Sequence, residues 1–117
     1  MQNKYSLIAI RAFEFIEMGL SAEQAWEKAS CEIYEKGSPS QKKGCPRNAF
    51  LGLTSKKPQS KNGKNVLYAR RAHEILQNNL NKSFTPNELW AMVIDKPKTH
   101  NSQMNVVLAL WDKKLIR

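Results

Sequence analysis

The chain has 117 residues, 41% of them hydrophobic and 25% charged, with a formal net charge of +9. That length supports one core and argues against two independent domains, and the composition argues against wholesale disorder. No run approaches the roughly 18 to 20 apolar residues of a membrane span, and the N-terminus lacks the features of a signal peptide, so the expectation is a soluble cytoplasmic protein with no membrane partner.

The charge is blocked rather than mixed. Residues 1 to 35 carry three basic and six acidic side chains, residues 36 to 73 carry ten basic and no acidic ones, and residues 74 to 117 carry six basic and four acidic ones. A block of this kind points to nucleic acid or another polyanion. The plainer alternative is that lysines in loops only keep the protein in solution. Cys31 and Cys45 are too few for a disulfide scaffold and read as free thiols.

In chain order, residues 4 to 18 place Tyr5, Ile8, Ala9, Ala12, Phe13 and Ile16 at three- and four-residue steps, which predicts an amphipathic helix. Gly19 ends it as a C′ residue, Leu20 supplies an apolar contact, and Ser21 with Gln24 reads as a capping box opening a second helix. In that helix Ala22, Ala25, Trp26, Ala29 and Ile33 form the buried stripe, and Glu23, Glu27, Glu32 and Glu35 face outward. The two helices are expected to form an antiparallel hairpin over residues 4–36.

Gly37, Ser38 and Pro39 stop the second helix. A basic loop over residues 37–64 follows, containing a short helix at 46–53. Gly44 permits a tight or left-handed turn, Cys45 falls at the N-cap and Pro46 suits the first helical position. Lys42, Lys43 and Arg47 add full charges to the partial positive charge of that helix start, which makes it an anion site in outline. Residues 54 to 65 hold Lys56, Lys57, Lys61 and Lys64 and no large apolar side chain, so this stretch is expected to be a mobile loop able to wrap a phosphate backbone.

A trihelical unit is expected over residues 65–117. Its first helix carries Val66, Ala69, Ala72, Ile75 and Leu76 on one face and Arg70, Arg71 and Glu74 on others, with Leu80 and Phe84 packed below its end. Thr85, Pro86 and Glu88 supply an N-cap, a proline at N1 and a glutamate at N3 for the next helix, which buries Leu89, Trp90, Val93 and Ile94. A polar connection over residues 95–100 leads to the last helix. Asn101 or Ser102 is its expected cap, and Met104, Val107, Leu108, Trp111 and Leu115 form its stripe with Leu110 beside it. All three tryptophans are assigned to the core, and so is Tyr68, although its neighbours Arg70 and Arg71 leave base stacking as the alternative.

Glu88-Leu89-Trp90 and Val107-Leu108-Ala109-Leu110-Trp111 running into Lys114-Leu115-Ile116 make residues 65–117 resemble the trihelical core of helix-turn-helix domains of the winged-helix type, here without a wing. That resemblance implies a last helix that enters the major groove and reads base edges through Gln103 and Asn105. The segment Ser40-Gln41-Lys42-Lys43-Gly44-Cys45-Pro46-Arg47-Asn48-Ala49-Phe50 is also similar to one in a group of small uncharacterised bacterial helical proteins, a resemblance that implies a family and no activity.

Chemistry is sparse. Cys45 is the weak candidate for a reactive group, because a thiol at a helix start among cations has its thiolate favoured, but no spacing places His73 or His100 beside it as a base. Cys31, Cys45, His73 and His100 lack the close ligand pairs of a structural zinc site, and neither a phosphate-binding glycine loop nor a dinucleotide motif is present, so no metal or cofactor is expected. The resulting expectation is an all-α protein of five to six helices, an N-terminal hairpin packed on a C-terminal trihelical unit. Its leading function is non-enzymatic binding of DNA or RNA, with Lys42, Lys43, Arg47, Lys56, Lys57, Lys61, Lys64, Arg70 and Arg71 on phosphates. The alternative is a protein-interaction module for an acidic partner or for itself, and a small enzyme using Cys45 comes third.

Overall fold

The computed structural model describes residues 3–55, 63–94 and 102–116. Among them lie six helices and no strand: α1 Lys4–Glu17, α2 Ala22–Ile33, α3 Gly44–Thr54, α4 Gly63–Gln77, α5 Pro86–Val93 and α6 Gln103–Asp112. The fold is all-α. No helix among the described residues is long and apolar enough to cross a membrane.

Local chemistry sets the helix ends. Asn3 caps α1 by accepting from the N–H groups of Tyr5 and Ser6. Gly19, at φ 106°, takes the left-handed turn that ends α1, and the Leu20 N–H reaches back to the Phe15 carbonyl. Ser21 with Gln24 and Thr85 with Glu88 form complete capping boxes, each worth about 1 kcal/mol on the N-cap side chain alone. The Glu88 carboxyl is held below its usual range because it accepts from the Thr85 N–H.

The start of α3 departs from expectation. Lys43, not Cys45, stands at the cap position, no side chain caps the turn, and Pro46 is the third helical residue. A proline is tolerated anywhere in the first turn, because N–H groups there have no partner within the helix. Two bonds tighten the chain just before it, from the Lys42 N–H to the Ser38 carbonyl and from the Lys43 N–H to the Ser40 carbonyl, so Gly44 is helical and the left-handed glycines are Gly19 and Gly37.

Packing centres on α6. Seven of its ten residues are buried, and it touches α1, α3, α4 and α5. A helix apolar on every side belongs inside a protein. α1 and α2 pack together on one side of it, α3 bridges α2 to α4, and α4, α5 and α6 contact one another as the trihelical unit. Trp26 is 1% exposed and stacks at a tilt on Phe50, with ring centroids 5.1 Å apart, which joins α2 to α3. Leu89, Trp90, Val93, Val107 and Leu108 are buried in one core with residues from all the other helices, and Trp111 packs half-buried against it.

Several side chains sit differently from the periodic reading. Phe15 is buried on α1, whereas Phe13 and Ile16 are only half-buried. Ile33 is 37% exposed at the end of α2, where Ser30 turns inward in its place. Leu80 is 74% exposed and does not pack beneath α4. Ser102 takes the N-cap position of α6 at φ 69° without a side-chain cap bond. The expected mobile stretch is helical at both ends, since α3 runs to Thr54 and α4 opens at Gly63. Its centre, the connection at residues 95–100 and the Asn101 cap lie outside the described residues.

α3 and α4 meet at Gly52. A Cβ built there would stand 2.9 Å from Val66 Cγ1 and 3.1 Å from its Cα, so a methyl group has no room unless the two backbones part. Gly52→Ala is expected to lower unfolding stability by about 1 to 3 kcal/mol in denaturant titration, whereas a helix-propensity effect alone would raise it.

Candidate nucleic-acid interface

The basic segment is fixed in place by one buried amide. Gln41 lies beneath the surface, its Nε2 donating to Ser30 Oγ at 2.9 Å and to Glu27 Oε2 at 3.2 Å on α2. Its Oε1 accepts from the Gly37 N–H at 3.1 Å, and its own N–H donates to Ser38 Oγ. From α1 the Tyr5 hydroxyl donates to the Ser40 carbonyl at 2.8 Å. The turn before α3 is thereby tied to both helices of the N-terminal pair. Lys42 and Lys43 follow directly, at a helix start whose first-turn N–H groups carry partial positive charge.

The cations then run along α3. Lys42 is exposed, and the Lys43 Nζ stands 5.7 Å from the Tyr5 ring centroid. Arg47 is half-buried on the helix, and Arg70 of α4 donates from Nε to the Gly52 carbonyl at 3.2 Å. Gly44 and Gly52 are about 12 Å apart along the axis at 1.5 Å per residue, so Lys42, Lys43 and Arg70 mark the two ends of α3. Arg71 and Lys64 are exposed on α4. Lys56, Lys57 and Lys61 lie outside the described residues.

Tyr5 also brings in a cation from the acidic third of the chain. Its ring lies 5.5 Å from that of Tyr34, and the Lys4 Nζ stands 5.4 Å from the Tyr34 centroid. Lys4 and Lys43 therefore gather around two tyrosines, with Lys42 next to Lys43 in the chain. Counting charge along the chain could not find Lys4 or Tyr34, because each reaches the cluster through folding. The glutamine was equally hidden, since nothing in its neighbours marks it as buried.

Gln103 is not placed to read a base edge. Gln103 is 2% exposed and donates to Asn65 Oδ1 at 2.9 Å. Asn105 is half-buried, its carbonyl accepting from Ser6 Oγ at 3.2 Å. Most of α6 is covered by its neighbours, and the side that carries Asn105, Leu108, Ala109 and Asp112 lines a small pocket beside Phe84 and Pro86. Tyr68 packs edge-on to Trp90 with centroids 5.1 Å apart, a core role.

The ion pairs among the described residues belong to Arg11, which meets Glu32 at 3.0 Å and Glu14 at 3.8 Å. No cation between residues 36 and 73 forms one there. Cys45 and Cys31 are free and half-buried, and among the described residues no hydrogen bond joins the Cys45 thiol to a base. The His73 ring packs at a steep angle to that of Trp111, with centroids 5.8 Å apart, and its Nε2 is buried without a partner among the described residues. His100 is outside the described residues. No three His, Cys, Asp or Glu side chains among them gather to hold a metal ion.

The described residues define an all-α protein of net positive charge, with Lys42, Lys43, Arg47 and Arg70 on and beside α3. Residues 2–117 match the model of a family described as "Family of unknown function (DUF6979)", and the chain belongs to that family. No curated protein and no solved structure is similar enough to match it.

Burial, reinforced by the neighbouring Tyr34, pushes the Tyr5 hydroxyl up from 10.0 to about 12. The folded state therefore keeps its proton where the unfolded state has lost it. Stability from this group is intact below pH 10 and falls as pH rises from 10 through 12. Tyrosinate absorbance, compared between the natural chain and Tyr5→Phe, is expected to show one tyrosine titrating late, and the variant is expected to lose less stability across that window.

Proposed function

We propose that the protein binds nucleic acid, DNA or RNA, through the cations on and beside α3, and that it does so without catalysing a reaction. One observation carries the reading. The ion pairs among the described residues are those of Arg11 with Glu14 and Glu32, so no cation between residues 36 and 73 is paired with a carboxylate there and the block keeps its charge for an outside partner. A polyanion is the partner that such unneutralised charge favours. The segment over residues 40–50, likened above to small bacterial helical proteins, is in this reading the part that faces phosphates. The likeness to winged-helix domains adds nothing to it, because the helix that would enter a groove is mostly covered.

A second reading has its own observation. An open pocket of about 730 Å³ is lined by Leu80, Trp111 and Ile116 with Gln77, Asp112 and Lys114 at its rim, a shape that suits an apolar side chain of a partner protein. An enzyme based on Cys45 has no comparable support.

The test is a salt series with a mixed DNA pool. Log affinity is expected to fall linearly with log salt, and replacing Lys42, Arg47 and Arg71 by alanine should flatten the slope by roughly 0.9 per lost phosphate contact on duplex, at every sequence alike. Absence of binding at low salt, with a folded protein, would leave the interaction module as the better account.

A further inference from the structure

Resting on the nucleic-acid reading, we propose that the bound strand is single and that Tyr34 is the platform on which one of its bases stacks, with Lys4, Lys42 and Lys43 meeting the phosphates on either side. Recognition of bases in a duplex asks for a helix or ribbon free to enter a groove. The helix that sequence nominated for that task is mostly covered, and its Gln103 is occupied by Asn65. A single strand asks for something else: an aromatic face that any base can cover, set among cations that follow the backbone.

Tyr34 meets both demands. It follows α2 in extended backbone, at φ −115° and ψ 152°, which carries its side chain off the end of the helix. The ring is half-buried, backed by Tyr5, and Tyr5 is itself anchored through Ser40 to the turn that positions Lys42 and Lys43. The platform is thus tied through Tyr5 to the turn from which Lys42 and Lys43 extend. Lys4 stands over the ring at 5.4 Å. An exposed contact of that kind is weaker than a base stacked on an aromatic ring, so an incoming base displaces the ammonium, which is then placed to meet a phosphate. Phe84 also is half-buried with a cation over it, Lys82 at 5.4 Å, but it lies outside the basic block, and the half-buried Tyr68 and Trp111 pack against Trp90 and His73.

The experiment compares binding of a short labelled oligothymidine with binding of a duplex of the same length. The single strand is expected to bind more tightly, Tyr34→Phe to keep that affinity, and Tyr34→Leu to lose about tenfold with its salt slope unchanged. Changing Lys42 and Lys43 to glutamine should instead lower the slope, by about 0.7 per lost contact on a single strand. A bromouridine strand cross-linked by light to the natural chain should attach at Tyr34, a result that needs no variant to fold. Equal affinity for duplex and single strand, together with cross-links confined to α4 or α6, overturns this inference and leaves the nucleic-acid reading standing. Failure of both probes to bind at low salt removes that reading, and this inference with it.

Discussion

The constraint on which the rest depends is that α6 has almost no face for solvent. Its buried residues, Gln103, Met104 and Val106 through Leu110, must be covered on every side, and α1, α3, α4 and α5 do the covering. The arrangement follows from that demand. A helix enclosed this way buries apolar area at about 25 cal/mol per Å² all round, where a surface helix does so on one stripe. It also limits what α6 can offer a ligand to the residues its neighbours leave uncovered, Asn105, Trp111 and Asp112.

Charge and packing divide the molecule accordingly. α1 and α2 pack as a pair, and part of the acidic exterior they carry is neutralised internally by Arg11 on Glu32, while Glu27 accepts a hydrogen bond from Gln41. The exposed ion pair contributes little, at about 0 to 1 kcal/mol. Its larger consequence is that Glu32 is engaged by a residue of α1. The buried amide matters more, because a glutamine nearly withdrawn from water needs its partners and therefore fixes the turn it belongs to. That turn delivers Lys42 and Lys43 to the start of α3 in a set position. Order in the basic segment thus comes from a polar contact with the acidic helix, made by an uncharged residue.

Legibility followed range. The ends of α1, α2 and α5 could be read because Gly19, the Ser21–Gln24 box and the Thr85–Glu88 box act within a few residues of themselves. Alternation of apolar residues placed most of the core, yet it chose Phe13 over Phe15 and admitted Ile33 and Leu80, because a three-to-four step cannot tell which flank a neighbouring helix covers. The run Val106-Val107-Leu108-Ala109-Leu110-Trp111 did carry the missing signal: six apolar residues in succession mark a mostly enclosed helix, and reading them as a single stripe led to the mistaken exposure of Gln103. Of the candidate surface, sequence supplied the lysines of the basic block. It did not supply Gln41, Lys4 or Tyr34, whose places depend on contacts between segments far apart in the chain.

Where a polyanion touches the chain decides between α3 with its preceding turn and α6 as the binding surface. Backbone amide shifts, followed by NMR while a single-stranded oligonucleotide is added at low salt, report that directly. Shifts centred on Lys4, Tyr34 and residues 42–47, with residues 103–110 unmoved, are the result the account predicts. Shifts concentrated on α6 with the turn before α3 unchanged would contradict it.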